Sequence, residues 1–300
     1  MRMMPTRKMT MAALAFVCAI ASCASGRSDG ARTDDASPSR GDSSDNSASF
    51  STKPLCDLTG PELDLLIARW QEERPDLPSR VRAILLSRLG TPYVNGCLGE
   101  GAGAEPDSDP VFRLDQVDCT VLVLTTAALA HARTLEEARE NMALANYREI
   151  GDDRPITYAG RLHFTEDRLD ASPYFRNITR DVVPEKLLAS KTLTLNVKED
   201  GSGLLPIEWA REITLAYLPV AVATEPVLAA LPPVTGVVFI KHSYAKMGLA
   251  AAHEGVLLDG KDLVHASSES KKVVRVPFRE YLRKADGSPR FDGLLFYAFR

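Results

Sequence analysis

Apolar residues first recur at helical spacing. Leu63, Leu66, Ile67 and Trp70 stand at i, i+3, i+4 and i+7 behind Pro61-Glu62, which predicts an amphipathic helix opening there. A second helix opens at Pro78-Ser79-Arg80, with Val81, Ile84, Leu85 and Leu89 on one face and Gly90 as its C-terminal stop. Residues 119–132 are apolar almost all round, which predicts a buried central helix. Thr134-Leu135-Glu136-Glu137 has the form of a capping box and starts a further helix running to about Tyr147. Downstream the period changes. Residues 156–164, 192–197, 237–241, 254–258, 263–266, 273–276 and 294–299 are short β-branched or aromatic runs. Gly, Asp, Pro or Lys punctuate them, as strand edges and turns require. Helices first and strands later predict an α+β fold, an antiparallel sheet covered by a buried helix. No internal repeat is visible.

Composition narrows the class. With 45% hydrophobic and 25% charged residues in 300, the chain has ample material for one large core or two small ones, and fibrous or wholly disordered readings fall away. A net charge of −4 leaves no broad cationic surface for nucleic acid. Five cysteines exclude a disulfide mini-scaffold, and the lack of a CxxC pair leaves a zinc knuckle or thioredoxin-type site unsupported. Neither a metal nor a cofactor is expected.

The N-terminal segments are unlike the rest. Arg2, Arg7 and Lys8 precede an apolar run of thirteen residues, 9–21, which at ~1.5 Å each falls short of a ~30 Å bilayer core. Residues 1–23 therefore read as an export signal. Ile20-Ala21-Ser22-Cys23 resembles a bacterial lipobox, which implies acylation at Cys23; a plain secretory signal with Cys23 incidental is the alternative. Residues 24–54 contain no Val, Ile, Leu or Met and read as a disordered Ser/Asp/Gly-rich tether of roughly 30 Å mean span. Ala24 after the cysteine resembles the outer-membrane sorting pattern, so the expected location is the cell envelope, periplasmic and lipid-anchored. Removing residues 1–23 takes away three cations and no anion, leaving an acidic protein of net charge −7. Residues 55–300 carry the fold, expected to act as a monomer.

Cys119 heads the buried run, behind Asp118. A helix N-terminus lowers a thiol pKa and stabilises an adjacent oxyanion, and Asp118 can cap the same amides. A buried structural cysteine is the plainer alternative. His253 and His265 lie on successive strand runs joined near Asp259-Gly260, where antiparallel pairing can set their imidazoles side by side. A cysteine nucleophile needs one such base and a second polar group to orient it.

These stretches carry a resemblance. Leu89-Gly90-Thr91-Pro92-Tyr93, then Val117-Asp118-Cys119-Thr120, then His253 with Gly255, then His265-Ala266-Ser267 resemble NlpC-type papain-fold cysteine hydrolases of peptidoglycan. Gly160-Arg161-Leu162-His163-Phe164, with Lys272-Val273 and Tyr281-Leu282, resembles their N-acetylmuramoyl-L-alanine amidase-like branch. The resemblance implies Cys119 as nucleophile, His253 as base, His265 as orienting group and Tyr93 beside the thiolate. It implies Arg161, His163 and Asp118 as substrate-side residues, with a structural salt bridge the alternative for Arg161. The implied substrate is peptidoglycan or a muropeptide, cut at the muramoyl–L-Ala amide. A D,L-endopeptidase cutting within the stem and a non-catalytic wall-binding lipoprotein are the other readings. The chain departs from the branch at Leu124, where an acid is usual, at Gly236-Val237 in place of Gly-Asp, and at Glu254, where an aliphatic is usual. Cys56 and Cys97 remain, and in an exported protein two spare thiols are expected to pair; closing that loop would contribute about 3–4 kcal/mol.

Overall fold

The computed structural model describes residues 53–99, 101, 103–104, 107–148 and 156–300. The signal 1–23 with Cys23, and the tether up to residue 52, lie outside the described residues.

Side chains close the helix starts that the sequence marks. At α1 (Gly60–Glu73) the Thr59 hydroxyl accepts from the Glu62 N–H while the Glu62 carboxylate accepts from the Thr59 N–H, a complete capping box. Asp76 caps α2 (Leu77–Ser87), Asp118 caps α3 (Cys119–Ala130) and Thr134 caps α4 (Leu135–Asn146). Gly90, at φ 86°, takes the left-handed turn after α2 that other residues disfavour. One expectation fails: residues 156–164 form no strand. Tyr158–Gly160 make a 3-10 turn fixed by the Thr157 side chain, and the chain then enters α5 (Thr165–Ala171). The run makes a single isolated bridge, Arg161 with Tyr147, and scattered backbone bonds to Asn146, Arg148 and Asp107, too few for a ladder.

Eight strands follow: β1 (Phe175–Asn177), β2 (Ala189–Leu195), β3 (Arg211–Pro219), β4 (Val234–Ile240), β5 (Ala251–Leu258), β6 (Asp262–Ser267), β7 (Lys272–Pro277) and β8 (Gly293–Phe299). They pair antiparallel in the order β2-β3-β8-β4-β5-β6-β7, with β1 also on β8. The α+β architecture with an antiparallel sheet is thus as expected. β3 holds its apolar residues at alternate positions (Ile213, Leu215, Tyr217), a weaker sequence signal than a continuous run.

Period-two alternation divides the sheet's faces. Val238, Val256, Leu258, Val264, Leu295 and Tyr297 join the core built with α1 to α4, whereas Val237, Phe239, Leu257, Leu263 and Phe296 join a second core with Phe278 and Phe291. Because both faces are covered, β4 is buried along its whole length. Every α3 residue except Thr120 is buried, at about 1.5–3 kcal/mol for each large aliphatic. Thr125 and Thr126 satisfy their hydroxyls on the Val121 and Leu122 carbonyls one turn back, at 2.7 Å each. The exception, Thr120, has another partner.

Candidate active site

At the start of α3 the Asp118 carboxylate accepts the Val121 N–H at 2.8 Å. Burial pushes its pKa up against that bond, with the Glu254 charge adding to the rise. Cys119 is the first helical residue and is buried. Thr120, next to it, donates to Glu254 Oε1 at 2.8 Å. Glu254 directly follows His253, so this bond ties the cysteine's end of α3 to the histidine's strand. Glu254 is itself buried and paired with the equally buried Arg168 at 2.5 Å, with Tyr297 and Thr165 hydroxyls at 3.4 Å. Two residues before Arg168, the Glu166 carboxylate accepts the Ala251 N–H at 2.8 Å and so anchors the start of β5. Helix α5 therefore braces the strand that carries His253.

His253 Nε2 and His265 Nδ1 are 2.8 Å apart. A single proton is shared in that bond, so one ring donates and the other accepts. Gly255 makes the approach possible: a Cβ there would stand 2.8 Å from Leu263 Cδ1 and 2.9 Å from His265 Cβ. That is the physical content of the His-x-Gly pattern. Burial depresses the proton affinity of both imidazoles. His253 is pulled well below its ordinary value by burial, then by His265 and Arg290; His265 is pulled down to about 4 by burial and then Arg290. Both rings are neutral at pH 7, the state a base requires.

Phe239 stacks on His253 at 5.6 Å, and Tyr281 lies 4.6 Å from His265 and 6.1 Å from His253. The Tyr281 hydroxyl is held high chiefly by burial, while the nearby Arg290 guanidinium, which also hydrogen-bonds it, pulls the other way. Tyr93 belongs to a segment threaded past this region. Its N–H bonds the Lys271 carbonyl at 3.0 Å, and it pairs with Val117, two residues before Cys119. Sequence reasoning quoted Thr120 and Tyr281 within motifs but gave them no role, and it missed Glu166, Arg168 and Arg290; a further trace was Glu254, a carboxylate inside an apolar strand.

The other residues singled out by the sequence lie in settings of their own. Arg161 takes the structural alternative: its guanidinium is buried, bonded to Asp107 at 2.7 Å, the Tyr147 hydroxyl at 3.0 Å, the Gly99 and Leu98 carbonyls and Asp109. Its donors are spent inside the fold. His163 is turned inward likewise, with Nε2 on the Tyr158 carbonyl at 2.8 Å and its ring 4.5 Å from that of Tyr158. Asp118 caps α3 as its position in the sequence predicts, its carboxylate accepting the Val121 N–H. Cys56 and Cys97 are not joined. Cys56 is exposed with its thiol toward Asp57, whereas Cys97 is buried with its thiol toward the Gln116 carbonyl. Burial pushes the Cys97 thiol up to about 12 and raises Cys56 as well, so neither is an activated thiol. Among the described residues no cluster of His, Cys, Asp and Glu could hold a metal ion, and no helix is long and apolar enough to cross a membrane.

Solved structures share this fold. A Legionella pneumophila protein superposes with a TM-score of 0.62 at 21% identity, over 80% of this chain and 95% of its own. An N-acetylmuramoyl-L-alanine amidase from Bacteroides uniformis gives 0.55 at 21% identity, over 75% and 99%. A putative xylanase from Bacteroides fragilis gives 0.53 at 20%, over 72% and 99%. At these identities the likeness establishes the architecture. No curated protein matches the sequence. The class is settled by the family comparison: the AmiA-like model, described as N-acetylmuramoyl-L-alanine amidase-like, matches residues 85–288. The chain belongs to that amidase-like family, and the matched span holds Cys119, His253 and His265.

Proposed function

We propose that this protein is a cysteine N-acetylmuramoyl-L-alanine amidase with an NlpC-type, papain-like site, acting on peptidoglycan or its muropeptides. The observation that carries the reading is the 2.8 Å bond between His253 and His265, on a strand tied through Thr120–Glu254 to the helix that Cys119 opens. His253 Nε2 is engaged by His265, so in this reading Nδ1 is the nitrogen that serves the thiol. In the reaction, His253 takes the Cys119 proton and the thiolate attacks the lactyl carbonyl carbon. The first-turn amides of α3 hold the oxyanion. The C–N bond then breaks, and the imidazolium returns its proton to the departing L-Ala amine. Water, deprotonated by His253, cleaves the thioester and restores the thiol. His265 fixes the tautomer of His253 throughout.

Cys23 acylation and an outer-membrane tether complete the proposal. They are supported by the lipobox-like Ile20-Ala21-Ser22-Cys23 and the apolar-poor segment behind it. Cys23→Ser should move the protein from the membrane to the soluble fraction or block its processing; unchanged fractionation defeats the anchor.

The test of the activity is mass spectrometry of muropeptides incubated with the purified protein. Free stem peptide and unsubstituted muramoyl product are expected from wild type, and none from Cys119→Ala with its circular dichroism unchanged. Fragments cut within the stem would assign a D,L-endopeptidase. Turnover retained by Cys119→Ala would sink the cysteine mechanism.

A further inference from the structure

Arg290 lies in the segment leading into β8, held by its own N–H on the Leu282 carbonyl at 2.9 Å. Its guanidinium stands over the Tyr281 ring at 4.9 Å, and that ring is 4.6 Å from His265. The cation is therefore within about two or three extended residues of the imidazole pair, at ~3.3 Å each. Its ion-pair partner is Glu269 at 2.7 Å, in the turn between β6 and β7, a carboxylate 70% exposed. The guanidinium also hydrogen-bonds the Tyr281 hydroxyl, while Nε, itself buried, has no hydrogen-bond partner among the described residues. Arg161 and Arg168 differ in being sunk in the fold against the buried carboxylates of Asp107 and Glu254, although Arg168 Nε too lacks a partner among the described residues.

A cation whose only ion-pair partner among the described residues is an exposed carboxylate, set beside two imidazoles, works against the proposed chemistry. It lowers the proton affinity of both rings, whereas catalysis needs His253 to hold a proton between attack and departure. An anion arriving with the substrate removes that conflict. Resting on the amidase reading above, we infer that Arg290 binds a carboxylate of the departing peptide. The side is set by the reaction: the acyl part stays on Cys119, while the imidazole hands its proton to the leaving amine, so groups on the imidazole side meet the leaving peptide. The acid nearest the cut bond in a stem peptide is the free α-carboxylate of the second residue, a glutamate joined onward through its side chain. An arginine fork matches a carboxylate bidentately, and Glu269 would be displaced or shared.

The test uses the full-length protein and two muramoyl tripeptides that differ only at that group, one with the α-carboxylate and one with the α-carboxamide. Wild type should favour the carboxylate by on the order of 10-fold or more in kcat/KM, mostly through KM. Arg290→Gln should collapse the ratio toward one, Arg290→Lys should keep part of it, and Glu269→Gln, which frees the cation, should enlarge it. A wild-type ratio near one overturns the inference, as does an Arg290→Gln ratio equal to that of wild type. Should Arg290→Gln not fold, Glu269→Gln decides alone: an unchanged or smaller ratio overturns the inference. Failure of wild type to cut either compound at the muramoyl amide would bring down the amidase reading and this inference with it.

Discussion

Two polar clusters in this molecule carry the motifs that the sequence singles out, and they behave in opposite ways. Around Arg161, each guanidinium nitrogen meets an acceptor from Asp107, Asp109, Tyr147 or the Leu98 and Gly99 carbonyls, and nearby His163 bonds the Tyr158 carbonyl through Nε2. Around His253 and His265, the two rings bond to each other and leave one nitrogen apiece for something else. A saturated polar cluster is a brace, because any added ligand would first have to break a bond already made in a low-dielectric interior. An unsaturated pair held rigidly from behind is a site. Residue type does not separate the two; residual valence does.

The sharpest way to break this comparison is to disturb the open pair. His253→Gln should abolish amidase turnover, since no other group can take and return the proton. His265→Gln should retain on the order of 1–10%, because a side-chain amide can still orient the neighbouring ring. Initial rates on muropeptides check both, and the reverse ranking would exchange the two roles.

Disturbing the closed cluster should instead cost stability. Arg161→Met strands Asp107 in the interior, and removing one partner of a buried pair costs ~3–5 kcal/mol. A denaturant midpoint well below wild type is expected, with kcat/KM of the folded fraction within about twofold of wild type. A large kinetic defect at unchanged stability would return Arg161 to the substrate.

Acid should expose the same contrast. The imidazoles have depressed proton affinity in the fold, His265 to about 4, whereas the unfolded chain titrates them near 6.5. Their contribution is thus intact above pH 6.5. As pH falls from there toward 4 the unfolded chain binds protons the fold excludes, so stability drops by up to ~1.4 kcal/mol per pH unit for each group. Unfolding curves from pH 7 to 4 should be shallower for His265→Gln than for wild type; equal slopes would mean the rings titrate normally.

The smallest expected effect concerns the link between helix and strand. Thr120→Val keeps the shape and removes the hydroxyl bond to Glu254, leaving the carboxylate to Arg168 and Tyr297. A several-fold loss in kcat with KM little changed is expected, in keeping with ~1 kcal/mol for one hydrogen bond, and Thr120→Ser should recover most of it. A loss confined to KM would make Thr120 a substrate contact. In the amidase-like branch that this chain resembles, an acid is usual at the position of Leu124; here Glu254 sets a carboxylate against the same helix from the strand side.

Much of the molecule is readable along the chain. Helices α1 to α4 announce themselves through apolar spacing and through Thr59, Asp76, Asp118 and Thr134, because a helix and its cap are decided within four or five residues. The strands from β4 to β8 show as short apolar runs. The histidine pair was legible as two polar residues on successive strands, with Gly255 marking a close approach. Residues 156–164 misled, since a β-branched or aromatic run becomes a strand only if another strand lies alongside. Tertiary structure alone decided the rest. Thr120 meets Glu254 across 134 residues, and Arg168 meets it across 86. Whether Arg161 was a clamp or a brace, and whether Cys56 would meet Cys97, depended in the same way on which distant groups arrived beside them. Local sequence fixes the direction in which a side chain leaves its element; whether its hydrogen-bonding capacity is then used up is set by partners that only folding brings within 3 Å.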